Sequence, residues 1–69
     1  MFAGILALDR DRNDLMLVAS TGDDYTLHCG EPLEVFVSGQ WELTRAELDA
    51  DDAWYLVGVS GCLGLTARV

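Results

Sequence analysis

The chain has no lysine, and its four arginines stand against twelve acidic residues, which gives a formal net charge of -8. Nucleic-acid-binding proteins neutralise phosphates with lysine and arginine, so this composition argues against a nucleic-acid ligand. It argues equally against an anionic membrane surface, which attracts basic segments. The acidic charge instead produces a field that attracts basic partners, although it does not identify one.

Long apolar runs are also missing. No run approaches the roughly 20 residues that a membrane-spanning helix requires. The apolar start, from Met1 to Leu8, lacks a positively charged region and stops at Asp9, unlike a secretory signal peptide. We therefore expect a cytoplasmic protein without a membrane segment, in which the two cysteines remain reduced thiols.

The residues that most often build catalytic and metal sites are scarce. There are two cysteines and one histidine, with no CxxC or HxxxH spacing. His28 and Cys29 are adjacent, so on a strand they point to opposite faces and cannot form a dyad with each other. A thiol or metal site that also uses Cys62 is the weakest of our alternatives. We predict no catalytic residue, no metal and no cofactor, and hence a protein that is not an enzyme.

Apolar residues are abundant, at 51% of the 69 positions. A chain of this length forms one domain, residues 1–69, and buries only about 60% of its extended surface. Nearly every large apolar side chain must therefore contribute to the fold. Any excess would form an exposed patch, which favours a homodimer or a protein partner.

Short apolar segments alternate with turn clusters and predict an all-β fold. Two of them, 4–8 and 15–19, flank a charged turn and predict a hairpin. Residues 25–29 are a short strand or an extended arm. A meander over 30–61 contains strands at 33–36, 40–43 and 54–59, and residues 65–69 form a last strand. We predict an antiparallel meander curled into a five- or six-stranded SH3-like barrel.

Two registers are open for the hairpin around Ser38-Gly39. A two-residue loop pairs Val35 with Glu42 and mixes apolar with polar side chains on one face. A three-residue loop pairs Val35 with Trp41 and Leu33 with Leu43, which sorts the apolar side chains onto one face. Because register follows such sorting, we predict the three-residue loop, with Gly39 in a G1 bulge. Its cost is that Glu34 faces Glu42.

The segment after this hairpin has two interpretations. Thr44 and Glu47 have capping-box spacing, and residues 46–53 would tolerate a short helix. Against that, the alternation of residues 41, 43, 45 and 47 continues the strand. We predict the continued strand.

Aromatic side chains supply the candidate binding site. Trp41, Trp54 and Tyr55 could line a groove, as in SH3-like barrels that bind extended peptides, although core packing is the commoner role of such residues. Trp54 and Tyr55 point to opposite faces, so one of them is expected to be exposed. Arg45 is expected to form an ion pair with Glu47, Glu42 or Glu34. The predicted binding residues are Trp41, Arg45, Trp54 and Tyr55.

Five short blocks of the sequence carry a resemblance. They are LHCGE at 27–31, EV at 34–35, GQW at 39–41, TRAE at 44–47 and WYLVG at 54–58. Together they resemble a family of small uncharacterised bacterial proteins, a domain of unknown function. The resemblance implies a compact all-β domain of bacterial origin and supplies no activity.

These observations favour a non-enzymatic interaction module that binds a protein or peptide partner, or a second copy of itself. The alternative is an acidic nucleic-acid mimic, which would occupy a nucleic-acid-binding protein by its charge. A mimic requires carboxylates spaced like phosphates along one face, and an even scatter would exclude it. The Cys/His metal or thiol site is the third and weakest hypothesis.

Overall fold

The structure, a computed structural model, describes all residues 1–69 and contains seven β-strands and no helix. The strands are β1 (Ala3–Asp9), β2 (Asp14–Val18), β3 (Asp24–Thr26), β4 (Pro32–Val37), β5 (Gln40–Leu48), β6 (Trp54–Leu56) and β7 (Thr66–Arg68). They form one sheet in the order β3-β2-β1-β7-β4-β5-β6, and every pair is antiparallel. The predicted all-β antiparallel fold is confirmed, with seven strands in place of five or six.

The sheet is open. Strands β3 and β6 lie at its two edges and do not pair with each other, so the predicted closure into a barrel is not observed. The sheet nevertheless curves far enough for side chains to connect the β1–β2 turn with the β5–β6 turn and Trp54. Asn13, in the turn after β1, donates from Nδ2 to the carbonyl of Asp52 in the turn before β6 at 2.9 Å. The indole Nε1 of Trp54 donates to the carbonyl of Asn13 at 2.8 Å.

Strand β7 joins two hairpins. The predicted β1–β2 hairpin is confirmed, and the second hairpin is β4–β5. β7 lies between β1 and β4 and pairs with both, so its central residue, Ala67, is opposite Gly4 on one side and Val35 on the other. The last segment of the chain therefore occupies the middle of the sheet.

One face of the sheet, called the inner face below, carries the core. Its buried apolar residues are Leu6, Leu15, Leu17, Leu27, Leu33, Val35, Ala46, Leu56 and Ala67. Strands β1 and β2 do not alternate apolar with polar residues, a pattern that is typical of burial on both faces. In β2, Leu15 and Leu17 are fully buried, whereas Met16 and Val18 on the opposite face are only half-buried. The opposite face of the sheet is called the outer face, and in β2 it is apolar but only partly covered.

The predicted register of the β4–β5 hairpin is wrong. Val35 pairs with Glu42 and Phe36 with Trp41, around a two-residue loop. Ser38 and Gly39 both have positive φ, at 52° and 80°, which is the pattern of a type I′ turn. This turn follows the right-handed twist of the flanking strands, and its geometry outweighed the sorting of apolar side chains. Glu34 consequently lies opposite Leu43 and not Glu42.

Strand β5 runs from Gln40 to Leu48, so the predicted strand is confirmed and no helix forms after Thr44. Strand β6 is shorter than predicted and ends at Leu56. Gly58 has φ of 72°, and the amide of Val59 donates to the carbonyl of Leu56 at 3.2 Å. This turn directs the chain away from β5.

Candidate protein-binding site

Five side chains gather on the outer face where β7, β4 and β5 lie side by side. We call them the aromatic patch: Glu34, Phe36, Trp41, Leu43 and Arg68. The two-residue turn creates the patch, because it places Phe36 opposite Trp41 and Glu34 opposite Leu43. Residues on alternate positions of a strand share a face, so Leu33 and Val35 point to the core and leave this set outside.

Arg68 organises the patch. Its guanidinium carbon lies 3.8 Å from the centroid of a Trp41 ring, within the range of a cation–π interaction. Its Nε donates to Glu34 Oε1 at 3.0 Å, which fixes the guanidinium from the other side. Phe36 meets Trp41 edge to face, with ring centroids 5.3 Å apart and planes at 68°. These contacts position a cation and two rings without fully burying any of them.

The patch leaves much apolar surface in solvent. Leu43 is 76% exposed and Phe36 is 44% exposed. Ile5, on the same outer face, is 45% exposed and borders a shallow apolar groove with Ala3 and Val18. Exposed apolar side chains grouped beside polar ones are typical of an interaction site.

The four predicted binding residues do not form one cluster. Trp41 and Arg45 share the outer face of β5, on either side of Leu43 along the strand. Arg45 forms the predicted ion pair with Glu47, at 3.2 Å. Tyr55 lies opposite Glu47 on β6 and is 44% exposed.

Trp54 belongs to the other side of the molecule. As predicted, it points away from the face that carries Tyr55, and it is half-buried against the core. Its Nε1 is used in the hydrogen bond to Asn13. Trp54 therefore connects the start of β6 to the β1–β2 turn, and it does not line a groove with Trp41.

Sequence reasoning missed Phe36, Leu43 and Arg68 as members of the site. The alternative two-residue loop would have identified Phe36, because that register places Phe36 beside Trp41 on one face. Arg68 could be found only by knowing that β7 lies next to β4, which no local pattern in the sequence reveals.

The thiols and the imidazole do not converge with carboxylates on a metal site: no group of three or more Cys, His, Asp or Glu side chains is placed to hold a metal ion. Cys29 is exposed, and its Sγ donates to Glu47 Oε1 at 3.4 Å. Cys62 packs against the core, and burial raises the pKa of its thiol, which keeps it protonated and poorly nucleophilic.

Glu31 holds the segment between β3 and β4. Tyr25 Oη donates to Glu31 Oε2 at 2.5 Å, and the amide of His28 donates to Glu31 Oε1 at 2.9 Å. The hydrogen bond to Glu31, together with desolvation and the negative charge of that carboxylate, raises the pKa of the Tyr25 phenol. These hydrogen bonds stabilise the loop between β3 and β4, and the residues that make them lie outside the aromatic patch.

Half of the acidic residues lie in the two turns joined by Asn13. We call this set the acidic end: Asp9, Asp11, Asp14, Asp49, Asp51 and Asp52. Several of these carboxylates are used locally. Asp9 accepts from the amide of Asp11, and Asp49 accepts from the amides of Asp51 and Ala53. Arg10 and Arg12 are interleaved with them in sequence.

Comparisons with known proteins place this arrangement in a family. The model of a domain of unknown function, DUF5348, matches residues 4–69. A solved structural-genomics target, a protein from Ruminococcus gnavus, is 37% identical and superposes with a TM-score of 0.84. That match covers 99% of this chain and 100% of the other. None of the curated proteins matches. The structure contains no helix long and apolar enough to cross a bilayer.

Proposed function

We propose that this chain, which belongs to the DUF5348 family of domains of unknown function, is a small non-enzymatic interaction module. It binds a protein or peptide partner through the aromatic patch. The observation that carries the proposal is the exposure of Phe36 and Leu43 beside a Trp41 ring that contacts Arg68. Tryptophan, tyrosine and arginine are enriched among the residues that contribute most of the binding energy at protein interfaces.

The chemistry of the patch suits a polypeptide ligand. Phe36 and Trp41 offer flat apolar contact at low entropic cost, since their rings already pack on each other. Peptide-binding grooves of SH3-like domains use aromatic side chains in this way for extended segments. The open, curled sheet provides a comparable exposed face without the closed barrel.

A selection experiment tests the proposal. A displayed library of random peptides is selected against the immobilised protein and re-tested on two variants. Phe36→Thr/Leu43→Thr removes apolar contact from the patch, at positions exposed enough to leave the fold intact. Leu63→Thr is the control, because Leu63 is 53% exposed and lies elsewhere. Peptides should bind the wild type and the control and lose binding to the patch variant. Equal binding to all three proteins would contradict the proposal.

Self-association through the same patch is the second form of this proposal. Sedimentation of the wild type and of Phe36→Thr/Leu43→Thr tests it, since a patch-mediated dimer would become a monomer in the variant.

We propose a cytoplasmic location for either form. Cys29 and Cys62 are free thiols, which is typical of proteins in a reducing compartment.

An acidic nucleic-acid mimic is the second candidate, favoured by the acidic end. Six of the twelve acidic residues meet there, but Arg10 and Arg12 interrupt them, and the other six are distributed over the remaining sheet. Displacement of duplex DNA from a lysine-rich peptide tests it. Asp11→Lys/Asp51→Lys should abolish displacement, whereas Asp23→Lys/Asp24→Lys, with the same change of charge elsewhere, should retain it.

A further inference from the structure

Strand β5 has a free edge beside the aromatic patch. In the two-residue hairpin, Gln40, Glu42 and Thr44 direct their backbone groups to β4, so Trp41 and Leu43 direct theirs to the opposite side. On that side β6 begins only at Ala46–Leu48, with one further bond from the amide of Val57 to the carbonyl of Arg45. No backbone hydrogen bond from the rest of the chain reaches Trp41 or Leu43.

The turn at Gly58 keeps this edge free. If the chain after Leu56 continued straight, residues 58–61 would pair along β5 beside Leu43 and Trp41. The positive φ of Gly58 and the bond from Val59 to Leu56 turn it inward instead. Beyond Val57, no strand continues the line of β6 along β5, so the edge offers two free residues and their four backbone groups. Unpaired edges of this kind accept an added strand.

We propose that an extended peptide adds to this edge as a strand, and that it carries apolar, basic and apolar side chains in alternation. The inference rests on the proposed function and specifies its mode of binding. The apolar side chains would lie on the outer face against Trp41 and Leu43. The residue between them would point to the inner side, next to Glu42 and the cleft that Glu42 lines with Val59 and Ser60. A lysine or arginine there meets a carboxylate.

Charge selects this occupant over a second copy of the chain. A two-fold pairing that uses both free residues places Trp41 opposite Leu43 of the second copy, and Glu42 then faces Glu42. Like charges directly opposite destabilise a strand pair. A two-fold pairing shifted toward Arg45 would avoid this contact between glutamates, but it needs the Arg45 carbonyl. That carbonyl already accepts a hydrogen bond from the amide of Val57. The net charge of -8 favours a basic segment further.

A proline substitution isolates the backbone contribution. The amide of Leu43 points to the free edge, so Leu43→Pro removes no internal hydrogen bond, and proline is tolerated at such positions. Leu43→Ala removes the same side chain and keeps the amide, which makes it the matched control. The probes are the synthetic peptides Ser-Thr-Val-Lys-Val-Thr-Ser and Ser-Thr-Val-Glu-Val-Thr-Ser. Binding is followed by amide NMR shifts and amide exchange at low salt.

We expect the lysine peptide to bind at least about tenfold more tightly than the glutamate peptide, and Leu43→Pro to weaken it about tenfold relative to Leu43→Ala. Bound peptide should protect the amides of Trp41 and Leu43 from exchange. Glu42→Lys should reverse the peptide preference, and this test stands even if Leu43→Pro does not fold.

The inference is overturned if the lysine peptide does not bind, if it binds Leu43→Pro and Leu43→Ala equally, or if a Leu43→Pro-sensitive dimer forms instead. The proposed function fails separately, when selected peptides bind the protein lacking Phe36 and Leu43 side chains as well as the wild type. Peptides that need the patch but leave the Trp41 and Leu43 amides unprotected would retain the function and refute strand addition.

Discussion

Both faces of the β4–β5 hairpin carry large apolar side chains, yet different interactions hold them. On the inner face, Leu33 and Val35 are removed from water almost completely. On the outer face, Phe36 and Trp41 are held by each other and by Arg68, and they remain partly exposed. Burial fixes the first set and directional contacts fix the second. A small sheet can thus keep an ordered apolar surface that its own core does not use.

The largest expected change in the free energy of unfolding comes from truncating a core leucine on the inner face. Leu17 is 0% exposed, so Leu17→Ala should lower the free energy of unfolding by about 2–5 kcal/mol through lost burial and a residual cavity. Leu43→Ala, on the outer face, should change it by no more than about 0.5 kcal/mol. Urea unfolding measures both. Similar costs for the two variants would mean that the outer face also carries the fold.

The inner face has one buried polar residue, Thr44, whose Oγ1 donates to the carbonyl of Val57 at 2.7 Å. Thr44→Val keeps the shape and removes the bond, and it should cost about 1–2 kcal/mol. Thr66→Val on the exposed outer face is the control and should be nearly neutral. A neutral Thr44→Val in thermal unfolding would show that the hydrogen bond does not hold β6 against β5.

The directional contacts of the outer face can be measured by a double-mutant cycle between Arg68 and Trp41. Arg68→Met and Trp41→Leu should show a coupling of about 1 kcal/mol, as expected for a partly desolvated cation–π pair. Arg45→Met, which breaks an exposed pair with Glu47, should cost less than about 0.5 kcal/mol. A coupling energy near zero would mean that the cation–π contact with Arg68 does not hold Trp41 in place.

The smallest effect concerns pH. The pKa of Tyr25 is raised in the folded protein, so its phenol contributes stability below its unfolded pKa, and this contribution is lost as pH rises through the folded value. The melting temperature should therefore decline above about pH 10. Tyr25→Phe should reduce that decline, whereas Tyr55→Phe should not. An identical alkaline decline in wild type and Tyr25→Phe would contradict this assignment.

Local patterns predicted that the strand beginning at Gln40 continues past Thr44, and that Trp54 and Tyr55 point to opposite faces. The alternation after Trp41 continued far enough to outweigh the capping-box spacing at Thr44. The register failed because apolar sorting assumes that apolar side chains share the core. Here a cation–π contact supports Trp41 outside it, and the positive φ of Ser38 decided the turn.

The binding residues were predicted less well than the fold, for a related reason. Trp41 was identified, but its neighbours Phe36 and Arg68 come from the corrected register and from the position of β7. Residues 65–69 were predicted to form a last strand, and β7 is observed at Thr66–Arg68. Nothing local to it specifies β1 and β4 as partners, because long-range pairing is determined by the whole sheet.

The central place of β7 has a consequence for cooperativity. β1 and β4 each pair with β7 and not with each other, so this three-residue strand carries every strand pairing between the two hairpins. Whatever loosens β7 therefore loosens both hairpins at once. The amides that pair β7 with its neighbours are expected to exchange with solvent only when the sheet opens as a whole.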